Sequence, residues 1–90
     1  MRVLESTTDV QYEFLRALYK LADGQAKKPV FYGDLSAELG RSPEEAEQAC
    51  EFWADRGLLD WVTLGHVALT HVGVRRAERL AAKGWSAIPF

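Results

Sequence analysis

The chain holds one cysteine, three prolines and two histidines in 90 residues, and each scarcity excludes something. A single thiol forms no intrachain disulfide and no multi-cysteine zinc site, and it fits a reducing compartment, the cytoplasm. His66 and His71 show no zinc-ligand spacing and have no nucleophile nearby in sequence, so no metal site is expected. No apolar run approaches the ~18 residues of a membrane span, and Met1-Arg2-Val3-Leu4-Glu5 lacks the apolar core of a signal peptide. There is no glycine-rich phosphate loop. Gly33, Gly40, Gly57, Gly65 and Gly73 fall singly, where turns and caps account for them. Neither a cofactor nor a catalytic residue is expected from this inventory. A strong charge of one sign is missing too: the formal net charge is −2, which argues mildly against a generic nucleic-acid coat protein.

What is present is a globular balance, with 48% apolar and 27% charged residues. The length suits one small domain, residues 1–90, with a core over about 8–83 and an apolar tail at 84–90. No linker, repeat or low-complexity tract interrupts it.

A first helix is expected from a capping box, Thr8 with Gln11, and Asp9 in the positive first turn. Val10, Phe14, Ala17, Leu18 and Leu21 form its apolar stripe, and Gly24 ends it. Gln25-Ala26-Lys27-Lys28-Pro29 reads as a loop and Val30-Phe31 as a two-residue strand. A short helix from about Asp34 carries Leu35 and Leu39 and stops at Gly40. The next start signal is the clearest: Ser42 as N-cap, Pro43 at the first helical position, Glu45 completing a capping box. Ala46, Cys50 and Trp53 mark one buried face, which makes Cys50 an inert core thiol, and Gly57 closes the helix.

Beyond Gly57 the period changes from helical to alternating. A type II′ turn at Gly65-His66 would pair Leu64 with Val67 and Val62 with Leu69 on one face of a hairpin. A turn shifted to Leu64-Gly65 would lose that match. Thr70 then caps a last helix with Val74, Ala77, Leu80 and Ala81 inward, ending near Gly84.

Two short helices joined by Gly40-Arg41-Ser42, with a hairpin after the second, make a winged helix-turn-helix: mainly α with a small β-hairpin. Three segments carry a resemblance to a family. Asp34-Leu35-Ser36-Ala37-Glu38-Leu39-Gly40-Arg41-Ser42 resembles its helix-turn-helix turn. Trp53-Ala54-Asp55-Arg56-Gly57-Leu58-Leu59 is similar to its exit from the third helix. Val67-Ala68-Leu69-Thr70-His71-Val72-Gly73 is similar to the opening of the last helix in MarR-like and PadR-like regulators. The match covers roughly residues 8 to 83 in order and spacing. The resemblance implies a transcription-regulator type of protein that binds DNA, with the helix after Ser42 as the recognition helix.

The charge pattern departs from that family where DNA would bind. The outward positions of the third helix are Glu44, Glu45, Glu47, Gln48, Glu51, Phe52 and Asp55. An acid held ~6–10 Å from a phosphate costs about 0.4–0.7 kcal/mol even at the dielectric of water. Five acids therefore cost a few kcal/mol, against the ~5.5–8 kcal/mol of typical non-specific DNA binding. Docking through this helix is disfavoured. Glu44 and Glu45 also complement the helix dipole, whereas Glu47, Glu51 and Asp55 lie beyond the first turn. The partner surface expected here is Glu44, Glu47, Gln48, Glu51, Phe52 and Asp55, meeting a protein with a basic surface.

Positive charge gathers elsewhere. Arg75, Arg76, Arg79 and Lys83 stand on the last helix against Glu78, and Lys27 and Lys28 share a loop. These six are the candidate DNA or phosphate contacts, although bases near a helix C-terminus also suit its dipole. The hairpin tip offers only His66, which adds no phosphate attraction when neutral. An acidic third helix and a basic last helix could also meet across a homodimer interface. Trp61, expected on the hairpin face opposite Val62 and Leu64 and beside Thr63 and Ala68, joins Trp85, Ile88 and Phe90 of the tail as dimer or tail contacts. Two readings stand: a small regulator touching DNA through the last helix or Lys27-Lys28, and an interaction winged helix that does not bind DNA. No membrane partner is expected.

Overall fold

The computed structural model describes residues 7–84, with side chains from Val10 onward. Four helices and a three-stranded antiparallel sheet follow one another: α1 (Thr7–Leu21), β1 (Val30–Phe31), α2 (Tyr32–Leu39), α3 (Pro43–Asp55), β2 (Leu59–Thr63), β3 (His66–Leu69) and α4 (His71–Ala82). Among the described residues no helix is long and apolar enough to cross a membrane.

α1 touches α2, α3, α4 and β3, so it is wrapped on more than one side. Tyr12 and Leu15 are accordingly buried along with the expected Phe14, Ala17 and Leu18, while Val10 and Leu21 at the ends of the stripe are only half-buried. The helix begins at Thr7, one residue ahead of the expected Thr8 start. Gln11 does not serve a capping box: its side chain is buried and Oε1 has no hydrogen-bond partner. The side chains of Thr8 and Asp9 lie outside the described ones, as do Trp85, Ile88 and Phe90.

α2 starts at Tyr32, two residues before the expected Asp34, and ends at Gly40 in the left-handed region with φ of 65°. Only glycine takes that conformation without strain. α3 follows its local chemistry closely. The Ser42 side chain accepts from the Glu45 amide, the Glu45 carboxylate accepts from the Ser42 amide, and Pro43 occupies the first turn. Ala46, Ala49, Cys50 and Trp53 turn inward. The Trp53 indole donates to the Gln11 carbonyl at 2.7 Å and so ties α3 to α1.

The strand order is β1-β3-β2. The hairpin register differs from the expected one. Leu59 faces Leu69, Asp60 faces Ala68, Trp61 faces Val67 and Thr63 faces His66, with an irregularity between Trp61 and Thr63. The connection is therefore Leu64-Gly65, and Gly65 takes φ of 79°. Two contacts outside the hairpin explain the choice. The Tyr32 amide donates to the Gly65 carbonyl at 2.9 Å. The Phe31 ring lies close to the position where any Cβ on residue 65 would sit, 3.2 Å from the nearest ring atom. Leu59 thus takes the place opposite Leu69 expected for Val62, and Trp61 the place opposite Val67 expected for Leu64, Leu59 buried and Trp61 39% exposed. Trp61 stands beside Val67, not Ala68, and Leu64 is 98% exposed at the tip.

α4 is capped as expected. Thr70 Oγ1 accepts from the Gly73 amide at 3.0 Å and donates to the Gly57 carbonyl at 2.7 Å. Ala77 and Leu80 turn into the core, and the helix ends ahead of Gly84.

Candidate functional site

The acids of α3 lie where the helical spacing put them. Glu44, Glu47, Gln48, Glu51 and Asp55 are all exposed, on the face opposite Ala46, Ala49, Cys50 and Trp53. Glu45 is set apart from them, because it is tied to the cap and to Arg41 at 3.2 Å. The Ser42 amide, then the Arg41 and Ser42 side chains, hold its carboxyl below the usual carboxylate range. Arg41 also reaches Glu13 at 3.1 Å, so its charge is spent at the start of α3. At the far end, the Arg56 guanidinium lies 3.6 Å from the centre of the Phe52 ring and donates to the Phe52 carbonyl. Neither arginine lines the cleft beside Glu47 and Glu51.

That middle stretch faces the hairpin across an open cleft of about 580 Å³. Glu47 and Glu51 line one side; Phe31, Tyr32, Trp61 and Leu64 are among the residues lining the other. Phe31 is 43% exposed and Trp61 39%. The aromatic wall has a fixed shape. Phe31 and Tyr32 rings are 5.4 Å apart, and Tyr32 meets Trp61 edge-on at 6.1 Å. Added bulk at Gly33 would strike the Phe31 ring. The cleft therefore joins two carboxylates to a preset apolar surface. Such a surface suits a cation carried on an apolar body, since carboxylate and ring face both attract positive charge.

Phe52, expected on the same partner surface, belongs elsewhere. It is half-buried, edge-on to Trp53 at 4.9 Å, and lines a second cavity of about 570 Å³ with Tyr12, Arg56 and Arg76. Trp61 does lie at the surface beside the acids, a meeting the sequence reading did not foresee. Cys50 is buried on the other side of α3. Burial, with Glu47 and Glu51 adding, pushes its thiol up to about 12, which leaves no thiolate for chemistry near neutral pH.

The six basic candidates divide. Arg75 and Arg79 are exposed, one turn apart on α4. Arg76 is half-buried and donates to the Tyr12 hydroxyl at 2.9 Å, so part of its donor set is spent inside the molecule. Lys83 is exposed at the C-terminal end of α4. Lys28 pairs with Asp23 at 2.9 Å. Lys27 has an exposed side chain, and its backbone amide donates to the Leu69 carbonyl at 2.8 Å. The bases are thus divided between α4 with its C-terminal end and the loop ahead of β1.

The described residues contain no cluster of His, Cys, Asp and Glu that could hold a metal ion. Sequence reasoning missed Phe31, Tyr32 and Leu64. A strand of only two residues alternates one side chain in and the next out, which was the available signal for Phe31. No protein-family model, curated protein or solved structure matches this chain.

Proposed function

We propose that this is a non-enzymatic winged-helix module of the transcription-regulator type whose α3–hairpin face engages a protein with a basic surface instead of DNA. The helix order, the Gly40-Arg41-Ser42 turn and the hairpin after α3 support the winged-helix reading. The observation that carries the function is the cleft: Glu47 and Glu51 stand beside exposed Phe31, Trp61 and Leu64, where a winged-helix DNA reader would need positive charge. A phosphate backbone is repelled there, while a cationic protein segment gains both attraction and apolar contact. The buried, unreactive thiol suits a reducing, cytoplasmic setting.

One observation favours a second reading. Arg75 and Arg79 are exposed and make no ion pair among the described residues, so α4 offers a small DNA-facing patch. Fluorescence anisotropy against random duplex DNA over a salt series separates the two. The interaction module shows no binding at low ionic strength. Tight binding with a steep negative salt slope, lost in Arg75→Glu/Arg79→Glu, overturns it and establishes the α4 reading. Replacing Glu47, Glu51 and Asp55 with lysine is expected to create DNA affinity where none existed, because it removes the repulsion and leaves the fold's exposed faces otherwise intact.

A further inference from the structure

We propose that the α3–hairpin cleft receives the basic face of α4 from a second copy of this chain. The proposal rests on the reading of the α3 face as protein-facing and names its partner. On α3 the exposed stripe is Glu44, Glu47, Gln48, Glu51 and Asp55. On α4 the sequence places Val72, Arg75, Arg76, Arg79 and Lys83 at the same intervals from the first member: three, four, seven and eleven residues. At about 100° per residue each set spans roughly 100° of arc, and at 1.5 Å per residue each runs for about 16 Å. The two stripes have equal length and pitch, with four acids and Gln48 on one and four bases and Val72 on the other, so opposite charges can face each other at the second, fourth and fifth positions. Arg76 remains tied to Tyr12, so Arg75 and Arg79 are the bases set to meet Glu47 and Glu51.

Apolar contact accompanies the charges. Val72 is 59% exposed at the head of the basic stripe, and the cleft presents Trp61, Phe31 and Leu64. The two stripes occupy different helices, so the acids of one copy meet the bases of the next. Two such contacts related by a two-fold axis close a dimer; a single contact per neighbour builds longer species. Either way association is driven by charge and weakens with salt.

Sedimentation velocity of the full chain at about 20–200 µM, a range that reveals micromolar association, tests the pairing. Wild type is expected to associate in low salt, with a dissociation constant raised about tenfold or more in high salt. Glu47→Lys/Glu51→Lys and Arg75→Glu/Arg79→Glu are each expected to sediment as monomers, since each places like charges opposite one another. An equimolar mixture of the two variants restores association, because each supplies the charges the other lacks; unfolded variants would not do so. All four positions are exposed, and circular dichroism checks that both variants remain folded. A monomeric wild type in low salt, variants that associate as wild type does, or a mixture that stays monomeric overturns the proposal. The DNA titration stands apart from this result. A monomer that ignores DNA refutes the self-pairing and leaves the protein-facing reading, whereas steep DNA binding refutes that reading whatever the mass.

Discussion

Replacing Gly73 with alanine should destabilise the protein, although helix propensity alone predicts the opposite. Gly73 lies in the first turn of α4, where alanine is ordinarily worth up to about 1 kcal/mol more than glycine. Here a Cβ would sit 1.9 Å from the Leu58 carbonyl oxygen and 2.9 Å from its carbon. Those are backbone atoms, and they are held. The Thr70 amide donates to that same Leu58 oxygen at 3.0 Å, Thr70 Oγ1 donates to Gly57 at 2.7 Å, and the Gly73 amide donates to Thr70 Oγ1 at 3.0 Å. Clearing the methyl requires a shift of more than an ångström between α4 and the start of β2. That shift breaks two or three of these bonds at ~0.5–1.5 kcal/mol each and loosens the packing of Leu80 at a further cost of about 1 kcal/mol. The net loss is about 2–4 kcal/mol, a large share of the ~5–13 kcal/mol available to a chain of this length. Urea unfolding followed by tryptophan fluorescence measures it, and the melting temperature should fall by about 10–25 °C. Gly33→Ala is the control. Its Cβ would meet the Phe31 ring at 2.4 Å, but that neighbour is a 43% exposed side chain, not backbone. The ring yields by a small shift against its Tyr32 and His66 contacts, so the stability cost stays at about 1 kcal/mol or less. A Gly73→Ala protein as stable as wild type would refute the close backbone approach that fixes α4 on the hairpin.

Ser42→Ala should cost about 1 kcal/mol in the same urea assay, because it removes the acceptor for the Glu45 amide. Cys50 should resist a thiol reagent at pH 8 in the folded protein and react at once in denaturant. Its folded value of about 12 lies above the ordinary 9.0, so the linked stability is complete below pH ~9 and is lost as pH rises from there toward 12, when the unfolded thiol ionises first. Cys50→Ala should be less stable than wild type by a constant amount below pH ~9, from the lost buried sulfur. In alkaline urea titrations only the slope of stability against pH should differ between the two in that window. Leu64→Ser should leave stability within about 0.5 kcal/mol, since the side chain is 98% exposed, while weakening any association measured by sedimentation.

α3 was legible in the sequence almost to the residue, and the hairpin register was not. The difference is one of range. Ser42, Pro43 and Glu45 set the start of α3 through contacts within three residues, which a reading of neighbours captures. The hairpin turn was decided by Phe31 and Tyr32, more than thirty residues upstream, through the Gly65 carbonyl and the space over Gly65. The same distinction divides the candidate site. Glu47 and Glu51 follow from helical spacing alone, but their aromatic neighbours arrive through the pairing of β1 with β3. Arg76 differs from Arg75 and Arg79 for the same reason: its partner, Tyr12, is 64 residues away.

The register shift also explains why the cleft exists. A slip of one residue along a whole strand would turn every side chain to the other face. Here the irregularity between Trp61 and Thr63 absorbs the slip near the tip, so Leu59 and Trp61 stand opposite Leu69 and Val67, Leu59 buried and Trp61 39% exposed. Val62 and Leu64 leave the places expected for them and become 45% and 98% exposed. A lone exposed leucine needs no explanation. Leu64 does not stand alone: it shares one open cleft with Phe31, Trp61 and two glutamates. Folding leaves Leu64 and part of Phe31 and Trp61 in water, so covering that surface costs the fold nothing. Glu47 and Glu51 on its wall disfavour phosphate and other acids there, and on the proposal above they select a segment with bases spaced to match, as they are on α4.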